Sequence, residues 1–204
     1  MVTFLLKKNI FKLLVKLHKR IYFENILKWC NSNLEYPIFF ISFDIETQND
    51  VNILRSLTKK LKKIKIKPFY AVPAELIERN IDFFVEISVD CILINHGYKI
   101  HTEYNKKDSL NFSSYSYSNI DYCEIEKDIK KAHKVISALP NQNPDIYRAP
   151  HFGEFCENNS LSNIYRVLSE LNYRLSSSTT PIFSLIKSPI YKVNKITEIP
   201  SSGY

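Results

Sequence analysis

Six residues in three short segments have the types and the spacing to do chemistry together. The segment SFDIET carries Asp44 and Glu46. Residues two apart on an extended chain point the same way, so these two carboxylates can converge on one point. INHGYKIH carries His96 and His101, and YRAPHFGEF carries Arg148 and His151. Two carboxylates, two histidines and an arginine are the composition of a divalent metal site with a paired acid and base. Taken singly each has a plainer role: Asp44 as a helix cap, either histidine as a satisfied polar residue, Arg148 as a surface ion-pair partner. Two of the three glycines, Gly97 and Gly153, fall in the same segments, where a backbone can need positive φ or close approach to a ligand.

What raises the six above their plainer roles is the pattern of elements around them. The run Tyr36 to Phe43 (YPIFFISF) is continuously apolar between Pro37 and Asp44 and reads as a buried parallel strand. Residues 49–63 follow as an amphipathic helix on Val51, Leu54, Leu57 and Leu61. Strand and helix then alternate: a strand over 67–72, a helical region over 74–88, and a strand over 91–95 (CILIN). A long Ser-, Tyr- and Asn-rich loop covers 102–119. The next helix carries its apolar stripe on Ile125, Ile129, Ala132, Ile136 and Leu139 and stops at Pro140. A short strand over 145–148, a helix over 161–171, and a strand over 173–177 complete the pattern. Repeated βα units predict an α/β fold with a parallel sheet or barrel. In such folds the reactive groups gather at the C-terminal ends of the strands, and all three segments stand there.

Composition limits the alternatives. The 204 residues are 45% hydrophobic and 24% charged, values of a globular chain and not of a disordered or low-complexity one. The net charge of +7 is concentrated at one end: residues 1–36 hold seven Lys and Arg against Glu24 and Glu35. The body is therefore nearly neutral, and without an RNP1-like strand no nucleic-acid partner is expected. No stretch reaches roughly 18 unbroken apolar residues, since lysines interrupt every candidate near the N-terminus, so no spanning helix is expected. The leader, residues 1–35, spaces Phe4, Phe11, Leu14, Val15, Tyr22, Ile26 and Trp29 as a basic amphipathic helix that can cap the domain's own core or lie on an anionic membrane surface. A secretory signal fits it poorly, which makes the expected location cytoplasmic, with peripheral contact at a membrane. The four cysteines lack ligand spacing and read as reduced apolar residues.

The three segments, in this order and spacing, resemble the polysaccharide deacetylases, the NodB-homology domain of carbohydrate esterase family four. SFDIET is similar to the family's first motif in its Asp-x-Glu variant, INHGYKIH to its paired-histidine motif, and YRAPHF to its Arg-x-Pro motif. LSELNYRLSSSTTP and ITEIP resemble the family's later strands, so the likeness covers roughly residues 37–200. It implies a distorted or incomplete (β/α) barrel over 36–204, C-terminally short, behind the leader. It also implies that Glu46, His96 and His101 hold a divalent ion, expected to be zinc, and that Asp44 is the general base. Arg148 would pair with Asp44, and the backbone N–H of His151 would stabilise the oxyanion. The implied function is hydrolysis of acetyl groups from N-acetylated or O-acetylated glycans; the other reading is a non-catalytic relative that keeps the fold and binds glycan. Three departures shape the expectation. His96 and His101 are five apart where the family usually has four, with His151 as the substitute ligand if the turn cannot absorb the extra residue. The ligand carboxylate is Glu46, one methylene longer than aspartate. No histidine follows His151 to act as the family's late general acid, so weak activity is expected.

Overall fold

A computed structural model describes residues 41–105, 110–151, 158–180 and 187–201, together with a few isolated positions. Nearly all of the leader lies outside the described residues. Among those described, the elements in chain order are β1 (Ser42–Asp44), α1 (Gln48–Lys63), β2 (Phe69–Val72), α2 (Ala74–Arg79), α3 (Ile81–Ile87) and β3 (Ile92–Asn95). There follow β4 (Thr102–Asn105), β5 (Leu110–Ser113), a 3-10 turn at Tyr117–Asn119, α4 (Tyr122–Ser137) and β6 (Ile146–Tyr147). The last are α5 (Asn158–Glu170), β7 (Leu175–Ser176), β8 (Tyr191–Val193) and β9 (Ile196–Glu198).

Seven of the strands form one sheet in the order β1-β2-β3-β6-β7-β9-β8, parallel throughout except for the β8–β9 pair. The two faces of its strands differ, as the period of two requires. Phe43, Tyr70, Val72 and Leu93 face the helices, in a core completed by Val51 and Leu54 of α1, Leu76 and Ile77 of α2 and Phe84 of α3. Ser42, Phe69, Ile94, Ile146 and Leu175 face the other way and line a single cavity of about 90 Å³. Residues from five strands can line so small a space only if the sheet curls around it, so the architecture is that of an incomplete parallel barrel. A second core joins α4 and α5 through Ile125, Ile129, Ile164 and Leu168, with Tyr147 and Ile196 of the sheet beneath.

Local sequence accounts for most of the boundaries. Thr47 and Asp50 form a capping box that starts α1, and Lys60, Lys62 and Lys63 lie in its last turn, where the helix dipole favours cations. The expected helical region 74–88 is two helices. Asn80 breaks it by leaving helical geometry and donating from its side-chain amide to the carbonyl of Leu76. The segment expected as a polar loop over 102–119 contains an antiparallel hairpin, β4–β5, standing outside the main sheet.

Candidate metal centre

β1 ends at Asp44, and the chain then turns into α1. The carboxylate of Asp50 accepts from the backbone N–H of Glu46 at 3.1 Å and of Thr47 at 2.8 Å. The capping box that starts the helix thereby also fixes the main chain that carries Glu46.

The histidine segment is fixed from three sides. Asn95, at the end of β3, accepts from the Gly97 N–H at 2.9 Å and donates to the Ile129 carbonyl and the Tyr173 hydroxyl. Asp128 of α4 accepts from the N–H groups of Tyr98 and Lys99 at 2.7 and 3.0 Å and from the Tyr117 hydroxyl at 2.6 Å. On the third side, the first N–H groups of α2, from Ala74 and Glu75, donate to the carbonyls of Gly97 and Tyr98, and the Glu75 carboxylate accepts from Ile100 N–H. Gly97 has φ +78°, and a Cβ there would stand 2.6 Å from Asp128 Oδ2 and 2.7 Å from the Tyr117 hydroxyl. The turn absorbs the fifth residue of the spacing.

Glu46, His96 and His101 come together at this edge of the sheet, with one ligand atom from each within 4.8 Å of the others. Glu46 Oε1 lies 3.2 Å from His101 Nε2 and 3.6 Å from His96 Nε2, and Oε2 accepts from the Thr102 hydroxyl at 2.7 Å. Both histidines are buried. His96 Nδ1 is 2.8 Å from the Arg148 carbonyl, so it serves as the donor and Nε2 carries its lone pair toward the carboxylate, whereas His101 stands between two acceptors, with Nδ1 3.4 Å from the Lys99 carbonyl and Nε2 3.2 Å from Glu46 Oε1. Burial pushes the Glu46 carboxyl up, but the hydrogen bonds with His101 and Thr102 and the nearby His96 ring outweigh it and hold the group well below the usual carboxylate range. Burial pulls the His101 imidazole below its ordinary value, with the Glu46 hydrogen bond opposing.

These residues fit a divalent ion. His96 Nε2 is buried with no hydrogen-bond partner, and a lone pair left facing a carboxylate oxygen in that position is unfavourable unless a cation lies between them. Two imidazoles and one carboxylate are also a ligand set that leaves coordination positions open.

Beside it, Arg148 at the end of β6 reaches across the sheet's concave side to Asp44, 2.5 Å away, and donates to Ser42 Oγ at 2.8 Å and Ser177 Oγ at 3.4 Å. His151 has φ +55°, an uncommon conformation for a non-glycine residue. Its ring packs edge-on against His101 with centroids 5.0 Å apart, while its Nε2 lies 2.9 Å from Ser113 Oγ and 3.1 Å from the Tyr115 carbonyl. His151 thus stands beside the three-residue cluster without joining it.

Several supporting residues escape a reading by motif. Asp128 lies in the apolar stripe of α4 between Ile125 and Ile129, and a carboxylate in a buried stripe is the signal that would have found it. Glu198, fully buried two residues after Ile196 on β9, accepts from Ser178 N–H, Thr179 N–H, the Thr179 hydroxyl and the Tyr165 hydroxyl. The Ser178 hydroxyl in turn accepts from the N–H of Ala149, next to Arg148. Glu198 therefore fixes the loop on which the Arg148 segment leans.

No protein-family model and no curated protein matches this sequence. Among solved structures, a candidate polysaccharide deacetylase from Mycobacterium smegmatis matches with a TM-score of 0.57 at 14% identity, over 80% of this chain and 58% of that one. A family 4 carbohydrate esterase from Streptomyces lividans matches with a TM-score of 0.46 at 15% identity, over 68% of this chain and 60% of that one. A family 4 pseudoenzyme from Bacillus anthracis gives 0.48 and 18%, over 69% and 41%. The chain spans 41% to 60% of the length of these structures. The first likeness shows that the fold is the one read from the three motifs.

Proposed function

We propose that this chain is a metal-dependent hydrolase that removes acetyl groups from acetylated glycans. The observation that supports it most is the arrangement of two buried imidazoles around the Glu46 carboxylate, with His96 Nε2 lacking any hydrogen-bond partner. Glu46, His96 and His101 would hold the ion, and zinc suits their nitrogen and oxygen donors. When bound, such an ion supplies an activated water at neutral pH and polarises a carbonyl. Asp44 acts as the proton acceptor, and Arg148 fixes its orientation through the 2.5 Å ion pair. The His151 backbone N–H, just beyond Pro150, is the donor assigned to the developing oxyanion. Polysaccharide as the substrate class is carried over from the description of the Mycobacterium smegmatis neighbour. The basic leader serves as a peripheral anchor at a membrane surface, on the cytoplasmic side.

Loss of an amine leaving group requires a proton, and a positioned acid contributes about 10²–10⁴ in rate. Within these 204 residues Asp44 can return the proton it accepted, and His151 is the other candidate to supply it. An activated acetyl ester needs that step least. The test is acetate release by zinc-loaded residues 1–204, from an activated aryl acetate and from an N-acetylated oligosaccharide. Ester hydrolysis that exceeds amide hydrolysis, and that Asp44→Asn lowers at least 100-fold with metal retained, is the expected result. Metal bound with no acetate from either substrate would overturn the hydrolase reading and leave a glycan-binding relative.

A further inference from the structure

The β4–β5 hairpin is rooted in the metal centre at both ends. Its first residue, Thr102, donates to Glu46 Oε2, and its last, Ser113, contacts His151 Nε2. The N–H of Ser114 donates to the His101 carbonyl at 3.0 Å, which closes the base. Thr102 and Ser113 are cross-strand partners, so their side chains share a face, and that face is turned to the site. The period of two puts Tyr104 on the same face, about 7 Å farther along the strand. Glu103 and its partner Phe112 occupy the opposite face.

Tyr104 is 46% exposed and Phe112 47% exposed, and among the described residues no other aromatic side chain is exposed to that degree. Aromatic residues elsewhere on the described surface are more fully covered, some of them beneath lysine or arginine side chains, as Tyr98 is by Lys131 and Tyr122 by Arg166. A half-exposed ring on the site-facing side of a hairpin anchored to the Glu46 carboxylate is a platform. Its flat apolar face suits the C–H face of a sugar ring, and its hydroxyl edge tolerates water.

We propose that Tyr104 forms a sugar-binding subsite, stacking on the monosaccharide next to the one whose acetyl group is attacked. This rests on the deacetylase reading and adds to it a residue, outside the Glu46, His96 and His101 cluster, that holds the neighbouring sugar. The hairpin then measures chain length, since a lone acetylated sugar at the metal centre would not reach the ring.

The probe is an N-acetylglucosamine hexasaccharide, compared with a small activated aryl acetate. Tyr104→Ala is expected to raise KM for the hexasaccharide about 3- to 10-fold, with kcat and the ester reaction within twofold of the parent. Tyr104→Phe, which keeps the ring, and Phe112→Ala, on the other face, are expected to match the parent on both. An unchanged hexasaccharide KM in Tyr104→Ala would overturn the subsite. Should the parent release no acetate at all, the hydrolase reading fails, and the subsite is judged by calorimetric titration of the same hexasaccharide. Binding weakened 3- to 10-fold by Tyr104→Ala supports it, and equal binding, or none by the parent, overturns it.

Discussion

His96 has two ring nitrogens in different positions: Nδ1 is spent on the Arg148 carbonyl, and Nε2 is buried with nothing to bond. If an ion belongs between Nε2 and Glu46, His96→Ala removes it, while His133→Ala does not, because the His133 ring sits on α4 against the Tyr173 hydroxyl, outside the cluster. Elemental analysis after dialysis should read about one equivalent in the parent and in His133→Ala and a small fraction of that in His96→Ala; equal metal in all three would sink the assignment. That Glu46, His96 and His101 belong together was legible because their motifs are contiguous and stand at strand ends. Asp128 and Glu198 were not, because the residues they clasp lie 11 to 33 positions away, and only the folded chain brings them together. Cysteine chemistry divides the same way by burial. Burial pushes the Cys91 thiol up to about 12, whereas Cys123 is exposed. At pH 8 an alkylating reagent should therefore modify Cys123 within minutes and Cys91 only on unfolding, as peptide mass spectrometry would register.

Among the elements, the turn after β3 depends on a single residue lacking a side chain. Gly97→Ala puts a methyl where Asp128 Oδ2 and the Tyr117 hydroxyl now stand, in a left-handed conformation that alanine resists. The expected cost is about 2–4 kcal/mol, with metal affinity lost as well because Tyr98 and Lys99 no longer share the Asp128 clasp; chemical denaturation and metal titration would measure the two losses, and unchanged values would refute the role given to the turn. Glu198→Ala is expected to cost a similar amount, leaving two buried N–H groups and two hydroxyls without their acceptor. The βα alternation was readable because buried parallel strands are apolar runs and their helices carry stripes. The hairpin was not: its residues, TEYN and LNFS, are polar enough to pass for a loop. β8 is short and lies at the sheet's edge, where little burial marks the sequence. The division of 74–88 into α2 and α3 turned on one amide side chain, Asn80, which periodicity does not weigh.

At the scale of the whole molecule, the positive charge belongs to the leader and the chemistry to the barrel. A leader that serves as an anchor predicts co-sedimentation of the full chain with anionic vesicles, weakened by salt that screens charges over about 8–10 Å. Residues 33–204 alone should stay in the supernatant, and equal sedimentation of the two would refute the anchor. Within the barrel, one residue ties the two halves of the site together. The side chain of Arg148 spans the concave side to Asp44 and Ser42 on β1, while its main-chain carbonyl holds the ring of His96 on the segment after β3. Any amino acid at position 148 supplies that carbonyl, but only arginine supplies the guanidinium. Inheritance therefore treats the two roles unequally: on the hydrolase reading, a lineage that lost this side chain would lose turnover while the backbone support of His96, and with it the ion-binding cluster, stayed in place.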